Sequence, residues 1–182
     1  IVNEYPGDRV LVGEDDDIRY LGNGNDELHM VFNFPLMQTA RLTTSHIRKN
    51  QTDRLRQLNS LSTPGWGCNT LGNHDSPRMI NRFGDGFHED EMARLHIALL
   101  LTLPGTPFLY YGEEIGMSDL IIQDPSLLRD TMATWYYSRL VDDLKIPSKE
   151  AAVSAGRMSR DKNRTPMQWM NTDNAGFSPK NI

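Results

Sequence analysis

The sequence contains a single cysteine, Cys68, and this scarcity excludes two kinds of site. An internal disulfide needs two thiols, and a zinc site built on cysteines needs several at characteristic spacing. Cys68 lies in an apolar stretch that precedes a turn, where a buried thiol is expected more often than a nucleophile. The sequence therefore predicts a structural role for Cys68.

Long apolar runs and an excess of basic residues are also missing. The longest apolar stretch, residues 97–111, is interrupted by Pro104 and Pro107, so no run reaches the roughly eighteen residues expected of a transmembrane helix. The 24 acidic residues outnumber the 19 Lys and Arg residues, which gives a net charge of −5. Nucleic-acid-binding proteins carry clustered basic surface. A nucleic acid is therefore not expected as a partner, and no membrane span is visible in these residues.

The 182 residues are 38% hydrophobic and 24% charged, a balance typical of a folded domain. Four apolar segments are predicted to form strands: residues 8–14, 27–35, 66–73 and 106–114. Helices are predicted over residues 45–61 and 90–103, from a proline near 125, and over 148–155. Continuous apolar residues are typical of parallel strands covered on both faces. The sequence therefore predicts an α/β fold with a parallel sheet.

Polar side chains follow three of the predicted strands. Glu14 ends the first, His74 and Asp75 follow the third, and Glu113 and Glu114 follow the fourth. In parallel α/β folds, ligands bind at the carboxyl ends of strands. Each acid taken singly could instead cap the next helix. Together the acids are compatible with hydrolysis of glycosidic bonds or with metal binding through oxygen ligands.

The four acids of residues 14–17, with the sequence EDDD, have the composition of a metal-binding loop. Adjacent residues on a strand or turn point in different directions, however. This run is therefore predicted to be a solvated loop with one inward-facing member, and no metal ligand is assigned.

Four longer motifs carry a resemblance to a known family. They are VLVGE at 10–14, LGNHDSPR at 71–78, LPGTPFLYYGEEIGM at 103–117, and SRDKNRTPMQWMNTDNAGFS at 159–178. In this order and spacing, the chain resembles the α-glucosidase and oligo-1,6-glucosidase branch of the α-amylase superfamily, glycoside hydrolase family 13. The resemblance covers nearly the whole chain.

The resemblance implies that the chain is the C-terminal half of a (β/α)8 TIM barrel. Residues 1–116 would supply strands five to eight, and residues 117–182 a long helical and loop insertion after strand eight that covers the active site. The N-terminal half barrel, with its nucleophile and a structural calcium loop, and the C-terminal β-domain would lie outside the chain. No cofactor is implied for this segment, which is predicted to be inactive alone.

The resemblance also implies roles for individual residues. Glu14 matches the general acid and base, and Asp75 matches the carboxylate that holds the hydroxyls of the sugar ring. His74 matches a histidine that donates a hydrogen bond to the same ring. Arg164 matches an arginine at the closed end of the sugar pocket, with a loop salt bridge as the alternative. Arg78 is expected to hold the loop after Asp75.

Other polar and aromatic residues near these motifs are expected to play lesser parts. Glu113 and Glu114 are interpreted as mainly structural. The aromatic cluster at residues 135–137 is expected to pack against a helix rather than to form a sugar platform. Trp169 and Phe177 are candidates for the rim of the pocket.

The implied activity is retaining hydrolysis of terminal α-linked glucose from maltose, isomaltose, sucrose or short oligosaccharides. One alternative is a glucosyl-transferring or isomerising relative such as trehalose synthase. Another is a non-catalytic barrel such as the ectodomain of an amino-acid transporter heavy chain. The presence of Glu14, His74 and Asp75 favours an enzyme.

Overall fold

The computed structural model describes residues 4–24 and 26–179, which divide into two compact units. The first unit comprises the described residues up to Leu71 together with Leu95–Leu109. The second comprises Gly72–Arg94 together with the described residues from Tyr110 onward.

The first unit contains four short strands. They are β1 (Val12–Gly13), β2 (Met30–Val31), β3 (Cys68–Thr70) and β4 (Thr106–Phe108). β1 pairs with β2 and β3 pairs with β4, both in parallel, and a parallel bridge between Phe32 and Cys68 connects the two pairs. The predicted parallel pairing is therefore observed, although each strand is shorter than the apolar segment that predicted it.

Six α-helices are present among the described residues. They are α1 (Phe34–Met37), α2 (Thr44–Asn59), α3 (Met79–Phe83), α4 (Glu89–Thr102), α5 (Thr131–Asp142) and α6 (Ser148–Met158). Short 3-10 turns occur at Ile18–Leu21, Glu113–Ile115, Pro125–Leu127 and Asp173–Gly176. None of the helices in the described part of the chain is long and apolar enough to cross a membrane.

The position of α4 was predicted closely, but its buried face differs from the one that the sequence indicates through the regular spacing of Leu95, Leu99 and Leu103. Three acids occupy its first turn, where they stabilise the helix dipole. Leu95, the first of the three leucines, is 61% exposed. The buried residues are instead Ala93, His96 and Leu100, which lie at the i, i+3 and i+7 positions of one helical stripe.

The predicted start of α5 near Pro125 is wrong. Pro125–Leu127 forms only a 3-10 turn, and α5 begins at Thr131 with Asp130 as its N-cap. The backbone N–H groups of Arg129 and Asp130 both donate to Oδ2 of Asp161, at 2.7 and 2.9 Å. Because these two N–H groups donate to Asp161, they do not form the hydrogen bonds that would extend the turn at Pro125–Leu127 into an α-helix.

Each unit has its own apolar core. In the first unit Leu21, Val31 and Leu58 form a buried cluster. Cys68 is also buried there, and burial raises the pKa of its thiol to about 11, as expected of a structural cysteine.

The core of the second unit lies beside α5 and α6. Its buried residues are Ile122, Leu128, Ala133 and Ala155. Tyr136 and Tyr137 pack against this cluster, as predicted for the aromatic residues of α5. Trp135 is 59% exposed because neighbouring positions on a helix face different directions.

Candidate active site

The loop after β3 presents His74 and Asp75 on the surface of the second unit. Asn73 shapes this loop, because its Oδ1 accepts a hydrogen bond from the Asp75 backbone N–H at 3.0 Å. Such an Asx turn stabilises a tight bend directly after a strand. The two predicted site residues are therefore displayed by a loop with local hydrogen-bonding support.

Two arginines from a distant part of the chain hold the Asp75 carboxylate. Arg164 Nη2 donates to Asp75 Oδ1 at 2.5 Å, and Arg160 Nη1 donates to the same oxygen at 3.1 Å. The other oxygen, Oδ2, lies 3.6 Å from His74 Nε2. The Asp75 side chain remains 44% exposed. One carboxylate oxygen is thus occupied by guanidinium groups while the carboxylate stays accessible to solvent.

These neighbours determine the charge state of Asp75. Desolvation raises the pKa of Asp75, but the hydrogen bond from Arg160, the nearby His74 and the hydrogen bond from Arg164 outweigh it. The net effect holds the pKa of Asp75 below its ordinary value. A carboxylate in this setting is ionised at neutral pH and acts as a hydrogen-bond acceptor.

Arg160 was not predicted as a site residue. Its Nε donates to Asp130 Oδ2 at 3.0 Å, so one guanidinium bridges Asp130 and Asp75. Nothing in the sequence near Arg160 indicates this bridge, since Asp75 lies 85 positions away. The arginine of the SRDKNRTPMQW motif that was predicted, Arg164, contacts the same carboxylate.

Arg78 lies directly behind the loop and is 1% exposed. Its backbone N–H donates to Asp119 Oδ1 at 2.8 Å, and its Nη1 donates to the carbonyl oxygen of Tyr111 at 2.7 Å. These contacts agree with the expectation that Arg78 holds the loop after Asp75.

Glu113 is a buried acid beneath the same loop, with 2% exposure. Its Oε2 accepts a hydrogen bond from the Tyr110 backbone N–H at 3.0 Å. A Cβ atom at position 72 would lie 2.2 Å from Glu113 Oε1, so a larger residue there would displace the Glu113 carboxyl group. Burial raises the pKa of Glu113 to about 7, although the Tyr110 N–H and the charge of Arg78 act in the opposite direction.

The raised pKa of Glu113 predicts a specific pH dependence of stability. Folded Glu113 keeps its proton up to about pH 7, whereas the unfolded chain loses it near the ordinary value of 4.5. The folded state thus binds more protons between these values, and the free energy of unfolding contributed by this group falls as pH rises. Glu113→Gln is expected to lessen that decline by about 3 kcal/mol at most. Urea unfolding of the complete protein at pH 5 and pH 8 measures the difference.

Glu114→Gln is the matched control for this measurement. Glu114 is exposed, and its Oε2 accepts a hydrogen bond from the Gly112 N–H at 2.7 Å. Its charge adds to the rise in the pKa of Glu113, but burial is the larger cause, so the Glu114 variant is expected to keep most of the pH dependence of the parent protein. Equal pH dependence in the Glu113 variant and the parent would contradict the assignment of a buried, protonated acid.

A cavity of about 460 Å³ opens beside Arg164 in the second unit. The residues that line it are Tyr111, Glu114, Arg164, Pro166, Met167, Trp169 and Phe177. Trp169 and Phe177 are both largely exposed, so their rings are available to a ligand. The cavity includes the two aromatic residues expected at the pocket rim, and Arg164 connects it to Asp75.

Glu14 lies in the first unit, directly after β1, and is exposed. The three acids that follow it form a loop, in which Asp17 caps a 3-10 turn and Asp15 accepts a hydrogen bond from the Asp17 N–H at 2.9 Å. Capping therefore explains part of this acidic run.

Arg54, on α2, anchors the loop that follows Glu14. It is largely buried, and its Nη1 donates to the Asp16 carbonyl oxygen at 2.7 Å. Its Nη2 donates to the carbonyl oxygens of Val31 and Phe32 at 2.9 and 3.1 Å. One guanidinium thus links the loop after β1 to the end of β2. The sequence did not indicate this role for Arg54.

Comparison with known proteins places these residues in context. Residues 1–182 match the family described as the alpha amylase catalytic domain. The chain is 32% identical to an oligo-1,6-glucosidase of Parageobacillus thermoglucosidasius over 188 residues, which covers 97% of this chain and 32% of that protein. It therefore spans about a third of the length of this curated relative.

Two solved structures resemble the fold at about the same identity. The trehalose-6-phosphate hydrolase of Bacillus licheniformis matches with a TM-score of 0.71 and 31% identity, over 90% of this chain and 31% of that chain. The trehalulose synthase of Pseudomonas mesoacidophila MX-45 matches with a TM-score of 0.63 and 30% identity, over 84% of this chain and 29% of that chain.

Proposed function

Because this chain belongs to the α-amylase catalytic-domain family, we propose that it carries part of the active site of a retaining α-glucosidase. The enzyme would release terminal α-linked glucose from disaccharides and short oligosaccharides. The observation that carries this proposal is the accessible Asp75 carboxylate, held through one oxygen by Arg160 and Arg164.

Asp75 suits the recognition of a sugar ring. Its ionised carboxylate accepts hydrogen bonds from ring hydroxyls, and Oδ2 is the oxygen that the arginines leave available. Positive charge develops on the ring as the glycosidic bond breaks. A fixed negative charge beside the ring stabilises that transition state more than the ground state, which is the requirement for catalysis.

His74 and Arg164 complete this side of the proposed pocket. The His74 ring is exposed beside Asp75 and supplies a hydrogen-bond donor to a ring hydroxyl. Arg164 adds to the effect of Arg160 and His74 in lowering the pKa of Asp75, and it borders the cavity that contains Trp169 and Phe177. Aromatic faces pack well against the apolar face of a pyranose ring. We therefore assign substrate binding to His74 and Arg164.

Glu14 is proposed as the general acid and base. As an acid it would donate a proton to the glycosidic oxygen while a carboxylate outside this chain attacks the anomeric carbon. As a base it would then take a proton from water, whose oxygen displaces the enzyme carboxylate and restores the original anomeric configuration. Its place at the carboxyl end of β1 agrees with this role.

Activity assays of the complete protein test the proposal. Maltose, isomaltose, sucrose, trehalose and trehalose-6-phosphate are offered separately, and the first product is followed by proton NMR. Release of α-glucose from at least one substrate is the expected result. Retention is read from sucrose, whose leaving group is fructose, so that the transferred sugar is the sole source of glucose: initial release of β-glucose from sucrose would contradict retention, and no turnover of any α-glucoside would contradict the proposed function. An isomerised disaccharide in place of glucose would favour an isomerising enzyme.

A further inference from the structure

Two adjacent tyrosines hold the backbone on both sides of Arg164. The Tyr110 hydroxyl donates to the carbonyl oxygen of Asn163 at 3.1 Å. The Tyr111 hydroxyl donates to the carbonyl oxygen of Thr165 at 2.6 Å. The residues immediately before and after Arg164 are therefore each fastened by a phenol.

The local backbone explains how neighbouring tyrosines reach the same segment. Side chains alternate between faces along a strand, but Tyr110 and Tyr111 follow β4 where the chain enters a turn. Gly112, the next residue, adopts a left-handed conformation with φ of 89°, which favours glycine. The two rings meet edge to face with centroids 4.6 Å apart.

Arg78 supports the tyrosine pair from behind. Its guanidinium carbon lies 5.2 Å from the Tyr110 ring centroid and 5.1 Å from that of Tyr111. At these distances a cation is attracted to the aromatic face. Because Arg78 also donates to the Tyr111 carbonyl oxygen, both the rings and the backbone of the pair are held.

The segment held by the tyrosines carries the contacts of Arg164 to the site. Arg164 Nε donates to the His74 carbonyl oxygen at 2.9 Å, and its Nη2 donates to Asp75 Oδ1. Long side chains lose considerable rotamer entropy when they are fixed in one geometry. Because the tyrosines already fix the backbone on both sides of Arg164, its side chain loses less conformational entropy when it contacts Asp75. The partly exposed contact between Arg164 and Asp75 is therefore held in a better-defined geometry.

We propose that Tyr110 and Tyr111 are positioning residues that act through Arg164 to orient Asp75 for catalysis. The inference rests on the proposed glucosidase function for its effect on turnover. Its structural part, the restraint of residues 163–165, is independent of that function.

Hydroxyl deletions in the complete protein test the effect on turnover. Tyr110→Phe, which removes a hydroxyl from a residue outside the cavity lining, is expected to lower kcat/KM by about fivefold, and the double variant Y110F/Y111F by more than tenfold. Tyr137→Phe is the matched control, since it loses a hydrogen bond to Ser148 Oγ of 2.8 Å in the same unit. Its kcat/KM is expected to change less than about twofold.

A double-mutant cycle separates positioning from general stabilisation. If the tyrosines act through Arg164, Y110F/Y111F causes no further loss of kcat/KM in an Arg164→Ala background. An equal loss in both backgrounds, or unchanged activity of Y110F/Y111F, would overturn the proposal.

Hydrogen exchange gives a readout that needs no turnover. Amides of residues 160–168 are expected to exchange about tenfold faster in Y110F/Y111F than in the parent protein, and unchanged in Y137F. Unchanged exchange in Y110F/Y111F would overturn the positioning role. Absence of turnover by the parent protein would contradict only the proposed function, because the exchange result still decides whether the tyrosines restrain the segment.

Discussion

Glu14→Gln is expected to lower kcat/KM for isomaltose or maltose by about 10³-fold in the complete protein. Glutamine keeps the size of the side chain and cannot donate a proton to the glycosidic oxygen. Because Glu14 is exposed at the end of a strand, the substitution leaves no buried group without a partner. The folded structure should therefore survive, and the loss would report on chemistry.

The choice of leaving group makes this test specific. The p-nitrophenolate leaving group of p-nitrophenyl α-glucoside departs with little protonation. In the Glu14→Gln variant, kcat/KM for this substrate is therefore expected to fall much less than kcat/KM for isomaltose. Asp16→Asn, two positions further along the same loop, is the control and should retain nearly full activity. Equal losses for both substrates would argue against Glu14 as the acid, and normal rates on isomaltose would exclude it.

Asp75→Asn is expected to reduce kcat/KM by a comparable factor, about 10³-fold. Asparagine keeps an oxygen that can accept from Arg160 and Arg164, so the loop geometry is largely preserved. What disappears is the negative charge that would stabilise positive charge on the sugar ring. The loss is therefore expected mainly in kcat rather than in KM.

Asp130→Asn provides the matched control for Asp75. Asp130 is the second carboxylate partner of Arg160, and it caps α5 through a hydrogen bond to the Met132 N–H at 3.0 Å. Asparagine is also a good N-cap, so this variant removes a charge near the site while it keeps the helix start. A loss of less than about tenfold is expected. Similar losses in both variants would show that the arginine network, and not Asp75 itself, is responsible.

The secondary structure was largely predictable because its signals are local. Leucine spacing located α2, and an acidic first turn and a terminating proline located α4; α6 was predicted over residues 148–155 and spans Ser148–Met158. The start of α5 was misplaced because two aspartates, Asp124 and Asp130, both form cap hydrogen bonds, and only the second begins an α-helix. The difference is made by Asp161, more than thirty residues away, which binds the intervening N–H groups.

Side-chain networks around Asp75 were much less predictable. The motif resemblance indicated Arg164, and the structure shows that this arginine contacts Asp75 from 89 positions further along the chain. Arg160 and the paired tyrosines were not indicated as site residues, since each acts on an atom that is remote in sequence. Glu113 was interpreted as mainly structural, but the rise of its pKa to about 7 comes from burial in the folded chain, which the sequence did not indicate.

By itself, the sequence determined the parallel α/β organisation, the family resemblance and the polar residues at the ends of strands. These follow from periodicity, turn residues and short motifs, each of which is confined to a few neighbouring positions. Only the tertiary structure decided which arginines hold Asp75 and which phenols hold Arg164. Those pairings depend on how the segment of residues 159–165 returns to the loop after β3, and local sequence preferences carry no information about such a long-range contact.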